Sequence, residues 1–417
     1  MTTFAAKNFT GTDSRHSARQ PDRKSSAQRK NAPGKRGLPG QVVLVLQGGG
    51  ALGAYQAGVF QAMHEAGIEP DWIVGTSIGA INAALIAGNP PDGRMAQLRR
   101  FWGSIEQHIG NELSRYLSPA IDHALANLLT VAAGIRTFFI PNPLAMFGQH
   151  AALGTGKAAY YTTEPLRRTL SELVDFGCIN EGRTRISLGA VNVRSGEMTY
   201  FDSREASISM DHVMASSAYP PAFPAIGIDG DFYWDGGIYS NTPIEAVLDD
   251  NPRRDSVIFA VDVWNPEGSM PESLWQVAGR QKEILYASRT KSHLARQKQI
   301  HHLRHVIREL TKDIPEKGRR SPRVKELASW GCHTTMHVVR FVASGLRDED
   351  HLKDIDFTPA GIDARWKAGY ADAKRMIDAA PWEAVVDPTE GVVIHDMPDA
   401  VGKPVAAGID GFEGRTK

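Results

Sequence analysis

The chain has 417 residues, 42 % of them apolar and 23 % charged, enough for one large domain or two ordinary ones with a sizeable core. Its 47 Lys/Arg balance 47 Asp/Glu, so no overall field draws it toward nucleic acid, and no nucleic-acid partner is expected. The two cysteines, Cys178 and Cys332, make neither a disulfide framework nor a metal cluster and fit a reducing compartment.

Residues 1–40 hold nine Lys/Arg, two Asp and few apolar side chains, which cannot offset the entropy of ordering, so a disordered basic tail is expected. It lacks the apolar stretch of a secretory signal, and no run reaches the ~18 apolar residues of a membrane span. The expectation is a cytoplasmic protein, soluble or peripheral at the inner membrane face. Val42-Val43-Leu44-Val45-Leu46 reads as a strand buried on both faces. Gly48-Gly49-Gly50 follow, then a helix from Ala51 to Ala66, a strand Trp72-Ile73-Val74, and a helix from Ile78 to Ala87. Strand, helix, strand, helix predicts an α/β fold, with helices on both faces of a mainly parallel central sheet in an α/β/α arrangement of three layers.

Residues 100–160 break the rhythm and read as a helical insertion. Its Phe101, Trp102, Phe138, Phe139, Ile140 and Phe147 suit a lid or acyl-binding wall, or equally helices packed on the core. Strands resume as a hairpin, Arg185 to Val193 and Glu197 to Phe201, and again at Ser256 to Trp264. A catalytic domain over 41–265 is expected. The part 266–380 reads as a helical extension with one late strand, Thr335 to Val342. Within it, Gln276 to Lys312 is a long helix with nine Lys/Arg against Glu283 and Glu309, either a solvated face or a contact for anionic membrane. Thr358 to Ala379 reads as an amphipathic helix capped by Thr358. Residues 381–417 have no clear period and are expected to be weakly ordered.

Three motifs carry chemistry. Gly75-Thr76-Ser77-Ile78-Gly79 sits between a strand and a helix, the setting of a nucleophile elbow. The turn strains the serine backbone, and side chains at Gly75 or Gly79 would collide with neighbouring elements. Upstream, the backbone N–H groups of Gly48, Gly49 and Gly50 form a nest suited to an oxyanion. Asp235-Gly236-Gly237 is a tight turn that leaves a carboxylate uncrowded. Phe232, Tyr233 and Trp234 beside it are expected to shield it from water and raise its pKa.

Taken in order, and joined by Ala215-Ser216-Ser217-Ala218-Tyr219-Pro220-Pro221-Ala222-Phe223-Pro224, these motifs resemble the patatin-like phospholipase family over about residues 42–265. The part after about 268 resembles an extension seen in some bacterial members. The resemblance implies a patatin-like fold and a lipid acyl hydrolase, of phospholipase A or carboxylesterase type, working through a Ser77–Asp235 dyad without histidine. It implies backbone amides at Gly48 to Ala51 as oxyanion hole, with Gly53, Gly75, Gly79, Gly236 and Gly237 as motif glycines. Where many members carry Arg or Lys near Gly53, this chain has glycine, so no side chain is expected to help the oxyanion. Nothing in the sequence calls for a metal or cofactor; no acidic loop of the EF-hand type is present.

Other readings stay open on residues alone. Gly48, Gly50 and Gly53 also spell a dinucleotide fingerprint, which needs an acid at the end of the second strand; Glu69 and Asp71 precede that strand. His337 and His395 follow Asp235 in the order of a Ser–Asp–His triad. A polyester or 3-hydroxyacyl oligoester could replace a lipid as substrate, and a catalytically silent membrane scaffold is a further class.

Overall fold

Val42 to Leu46 offer no polar side chain to solvent on either face, and β1 (Gln41–Leu46) accordingly lies inside the sheet with Val42 to Leu46 fully buried. The computed structural model describes residues 37–107, 130–148, 150–345, 352–387 and 389–397. The expected tail, apart from 37–40, lies outside the described residues. So do residues 108–129 of the insertion and the chain beyond 397.

β1 is flanked by β2 (Trp72–Thr76) and β9 (Ser256–Asp262), both parallel to it. Outward from β2 come β5 (Arg185–Asn192), β8 (Asp231–Asp235) and β7 (Ile226–Ile228). Outward from β9 come β10 (Met336–Val342) and β11 (Val392–Asp396). β6 (Met198–Asp202) forms the expected antiparallel hairpin with β5. A separate ribbon pairs β3 (Ile140–Pro141) with β4 (Tyr161–Thr162).

Alternation along β1 divides the core. Val42, Leu44 and Leu46 pack with α1 (Gly53–Glu65), α2 (Ile78–Ala87) and α3 (Pro91–Ser104). Val43 and Val45 point to the opposite layer, with Leu294 of the long helix α5 (Leu274–Asp313) and Val247. A short helix α4 (Met210–Ser216) precedes β7, and α6 (Pro359–Ala379) lies against α1. All ten residues of α2 are buried, which is why it is apolar throughout except at Asn82, whose side chain is hydrogen-bonded. No helix among the described residues is long and apolar enough to cross a membrane.

The structure holds elements that the sequence pattern does not announce. α3 runs through Phe101 and Trp102, which are core residues. β7 and β8 are three and five residues long and mix polar with aromatic side chains. β11 lies in the stretch without a clear period after Pro381 and pairs parallel with β10, so Thr335 to Val342 is not the last strand. An edge strand of five residues is too short to print a period.

β1 has its first chain partner on one side and β9 on the other, so the chain reverses its winding there. The crevice beyond the carboxyl ends of the strands opens at such a point. The helix leaving that crevice, α1, is clamped by the C-terminal part. Tyr55 OH donates to Asp372 Oδ2 at 2.7 Å, and a Cβ on Gly369 would lie 2.0 Å from Tyr55 O. Gly369→Ala is therefore expected to part α1 from α6 and cost about 1–3 kcal/mol, read as a lower midpoint in urea. An unchanged midpoint would mean that the two backbones can separate freely.

Candidate active site

Ser77 links β2 to α2 with φ 58° and ψ −128°, a region that residues other than glycine seldom occupy. Two close approaches force this turn. A Cβ on Gly75 would lie 2.4 Å from Gly79 O, and one on Gly79 would lie 2.3 Å from Leu46 O in β1. The end of α4 holds the strained residue. Ser77 N–H donates to Ser216 O at 3.0 Å, while Ser216 Oγ donates to Gly189 O at 2.6 Å. Ser77 thus sits at the amino end of α2, where the helix field favours negative charge.

The same stretch sets Asp235. Its N–H donates to Ala218 O at 3.0 Å, and Ala218 directly follows the two serines that grip the elbow. Its carboxyl group is fully buried. Oδ1 accepts from Gly237 N–H at 2.7 Å, whereas Oδ2 is buried without a well-formed hydrogen bond. Burial pushes the pKa up to about 7, against the pull of the Ser77 hydroxyl and the Gly237 amide. Two of the three aromatic neighbours depart from expectation, while Tyr233 shares the face of Asp235. Side chains alternate along β8, so Phe232 and Trp234 lie on the face opposite Asp235, and Phe232 is 39 % exposed. The sheet itself, through β5 and the loop at Ala218, takes Asp235 out of water.

The four amides of the glycine loop divide in two. Gly48 N–H donates to Asn241 O at 3.1 Å and Ala51 N–H to Asp354 O at 2.8 Å, so neither is free for a ligand. Gly49 and Gly50 N–H have no acceptor among the described residues, and both residues line the cavity beside Ser77. Gly50 takes φ +56°, and a Cβ there would lie 2.2 Å from Asp354 O. Gly48 O accepts from Asn241 Nδ2 at 3.0 Å and Trp264 Nε1 at 2.9 Å, which fixes the plane of the peptide that carries the Gly49 N–H. Behind it, buried Gln47 donates to Thr242 Oγ1 at 2.7 Å and accepts from the Val263 and Trp264 amides.

Ser77, Asp235, Gly48, Gly49, Gly50 and Gly237 border one cavity of about 290 Å³. Its apolar wall includes Ile78, Ile81, Phe138, Phe139, Tyr161, Phe223 and Phe357. The insertion therefore splits. Phe138 and Phe139 line the cavity, Phe101 and Trp102 are core, and Phe147 is 75 % exposed. Gly53 and Gly236 stand behind the site: a Cβ would meet Ile78 at 2.5 Å and Gly189 O at 2.6 Å. None of the described histidines lines the cavity. His337 and His395 instead stack on each other across β10 and β11, with Nδ1 and Nε2 3.0 Å apart. Glu69 pairs with Arg94, and Asp71 Oδ2 accepts from Val42 N–H at 3.0 Å. Both acids thus lie at the amino ends of the strands, away from the glycine loop.

Sequence reasoning missed Asn241, Trp264, Tyr219, Tyr286 and Asp354. Asn241 follows Asp235-Gly236-Gly237 closely enough to have been suspected. Tyr286 and Asp354 left no local signal, because the fold alone brings them to the cavity.

The family described as patatin-like phospholipase matches residues 44–248, and one described as patatin phospholipase matches residues 284–389. A patatin-like phospholipase domain-containing protein of Caenorhabditis elegans, ZK370.4, is 29 % identical over 252 residues, covering 59 % of this chain and 15 % of that protein. Lysophospholipase nte1 of Aspergillus terreus is 63 % identical over 46 residues, 11 % of this chain and 3 % of that protein. The chain thus spans a small part of these relatives. The crystal structure of VipD from Legionella pneumophila aligns with a TM-score of 0.34 at 15 % identity, covering 82 % of this chain and 67 % of that one.

A carboxyl whose pKa rises on folding binds its proton more tightly in the native state. Asp235 therefore lowers stability as pH rises from about 4 through about 7, by up to about 4 kcal/mol. Asp235→Asn is expected to be more stable than the unmodified protein at pH 8, with the gap closing toward pH 4 in urea titrations. A gap independent of pH would contradict the raised pKa.

Proposed function

Because the chain belongs to the patatin-like phospholipase family, we propose that it is a serine acyl hydrolase of lipid esters, with Ser77 as nucleophile and Asp235 as its base. The observation that carries this reading is the buried carboxyl of Asp235, poised at about pKa 7, in the same cavity as a serine held in a strained turn at a helix amino end. Near neutral pH about half of such carboxyls are ionised and able to take a proton.

In the proposed reaction the Ser77 hydroxyl gives its proton to Asp235 as Oγ bonds to the ester carbonyl carbon. The carbonyl electron pair moves onto oxygen, and the amides of Gly49 and Gly50 hold that oxyanion. Each such donor is worth on the order of 3–4 kcal/mol of barrier. Gly48 and Ala51 carry the loop rather than the ligand. Collapse of the intermediate releases the alcohol with the proton from Asp235, and water then cleaves the acyl-enzyme by the same steps. The apolar wall around Phe138 and Phe139 suits an acyl chain. At about 290 Å³ the cavity stands at the low end of ligand sites, roughly 300–1,000 Å³, which favours esters with one acyl chain in the site. The relative named lysophospholipase supports the same substrate class. Peripheral contact with membrane is part of the proposal, since lipid substrates reside there, as is a cytoplasmic setting for its two free cysteines.

Ser77→Ala is expected to abolish hydrolysis of lysophospholipids and p-nitrophenyl acyl esters, and Asp235→Asn to lower kcat at least about 10³-fold. In the unmodified protein kcat/KM should rise with pH to a half-maximum near 7, since only the carboxylate accepts the proton. Full activity in either variant, or a flat profile from pH 5 to 9, would sink the dyad.

A further inference from the structure

The cavity has a polar wall that the dyad leaves unused. Tyr219 lies in the loop after α4, and Tyr286 lies in α5. Their hydroxyls hydrogen-bond to each other, and both side chains border the cavity. Tyr286 is tied to the glycine loop from behind. Its carbonyl oxygen accepts from Gln47 Nε2 at 3.3 Å, and its ring centre is 5.0 Å from that of Trp264, the residue that holds Gly48 O.

Two phenols joined by one hydrogen bond hold two protons, and the bond between them uses one. The second proton is left for an acceptor in the cavity. Burial, then the bond to Tyr219 and the charges of Asp354 and Asp235, push the Tyr286 hydroxyl upward in pKa, so the pair donates and does not act as base. The carbonyl oxygen of a bound ester already has the Gly49 and Gly50 amides. On the Ser77–Asp235 reading the leaving-group oxygen has no donor assigned, and it must lie near Asp235 to recover the proton. Tyr219 directly follows Ala218, whose carbonyl receives the Asp235 N–H, which puts the tyrosine pair beside Asp235.

We propose that Tyr219 and Tyr286 form a hydrogen-bond donor for the leaving-group oxygen, and so suit the site to esters of ordinary alcohols, which leave poorly. This rests on the Ser77–Asp235 reading. When the carbon–oxygen bond breaks, its electron pair goes to the leaving oxygen. The proton that completes the alcohol is the one Asp235 took from Ser77. The tyrosine proton stays on its own oxygen and stabilises the charge while it develops.

The test compares a p-nitrophenyl ester with an alkyl ester of the same acid, each with the unmodified protein, Tyr219→Phe, Tyr286→Phe and the double variant. Phenylalanine keeps both rings, and a single variant keeps one hydroxyl. p-Nitrophenolate leaves without help; an alkoxide does not. The double variant is expected to lower the alkyl-to-aryl ratio of kcat/KM on the order of 10²-fold through kcat, with the single variants in between. A ratio unchanged in the double variant, whether both rates fall or neither does, overturns the proposal, as does a change confined to KM. Ser77→Ala serves as control. If the unmodified protein hydrolyses neither ester in a Ser77-dependent way, the dyad fails and the tyrosine role with it. If it does and the ratio stays constant, the tyrosine role fails alone.

Discussion

A carboxyl group buried without a cation is an unfavourable thing to build, and Asp235 is built that way. Among the described residues no Lys, Arg or His pairs with it, and one of its oxygens lacks a well-formed hydrogen bond. The fold supports this because β8 is stitched to β5 on one side and to Ala218 through the backbone. Its pKa follows from placement, since burial outweighs the two hydrogen-bonding groups that favour the anion. In the proposed dyad the base for Ser77 takes its strength from dryness rather than from a histidine.

Around that carboxyl the rest of the site is fixed by hydrogen bonds to backbone atoms, from backbone and side chains alike. The serines of the segment 215–218 grip Ser77, and the same segment receives the Asp235 N–H, so the proposed nucleophile and its proposed base share one support. The glycine loop is held at both ends, by Asn241 and Trp264 at Gly48 and by Asp354 at Ala51. Only its middle amides are left for a ligand. Two of these holds come from beyond the motifs: Trp264 follows β9, and Asp354 lies between β10 and α6. Lys282 of α5 holds the Asp354 carboxylate at 2.8 Å, so the long helix braces the loop as well as lining the cavity. The C-terminal part is therefore structurally continuous with the site, through β10 and β11 in the sheet and α6 on α1.

Much of this was legible in the sequence, for definite reasons. The buried strands β1 and β9 announce themselves because parallel strands covered on both faces must be apolar throughout. The turn at Ser77 is readable because its geometry tolerates only glycine at two flanking positions. Asp235 was legible as a residue, but the cause of its burial was not, since two of the three aromatic residues beside it, Phe232 and Trp234, point to the other face of β8. The glycine loop was legible as a nest, yet which amides are open depends on Asn241 and Asp354, the latter some 300 residues away in the chain. Tyr219 stands in a family motif that gives it no role, and its partner Tyr286 sits in a helix whose readable feature is its basic charge.

Catalysis as proposed requires Ser77 to be the one activated hydroxyl and Asp235 to activate it. The most direct measurement is the rate and site of phosphonylation by a fluorophosphonate across pH 5 to 9, read by intact and peptide mass spectrometry. One phosphonyl group per chain is predicted, on Ser77, at a rate that rises to half-maximum near pH 7 and collapses in Asp235→Asn. Modification at another residue, or equally fast labelling of Ser77 when Asp235 is Asn, would contradict it.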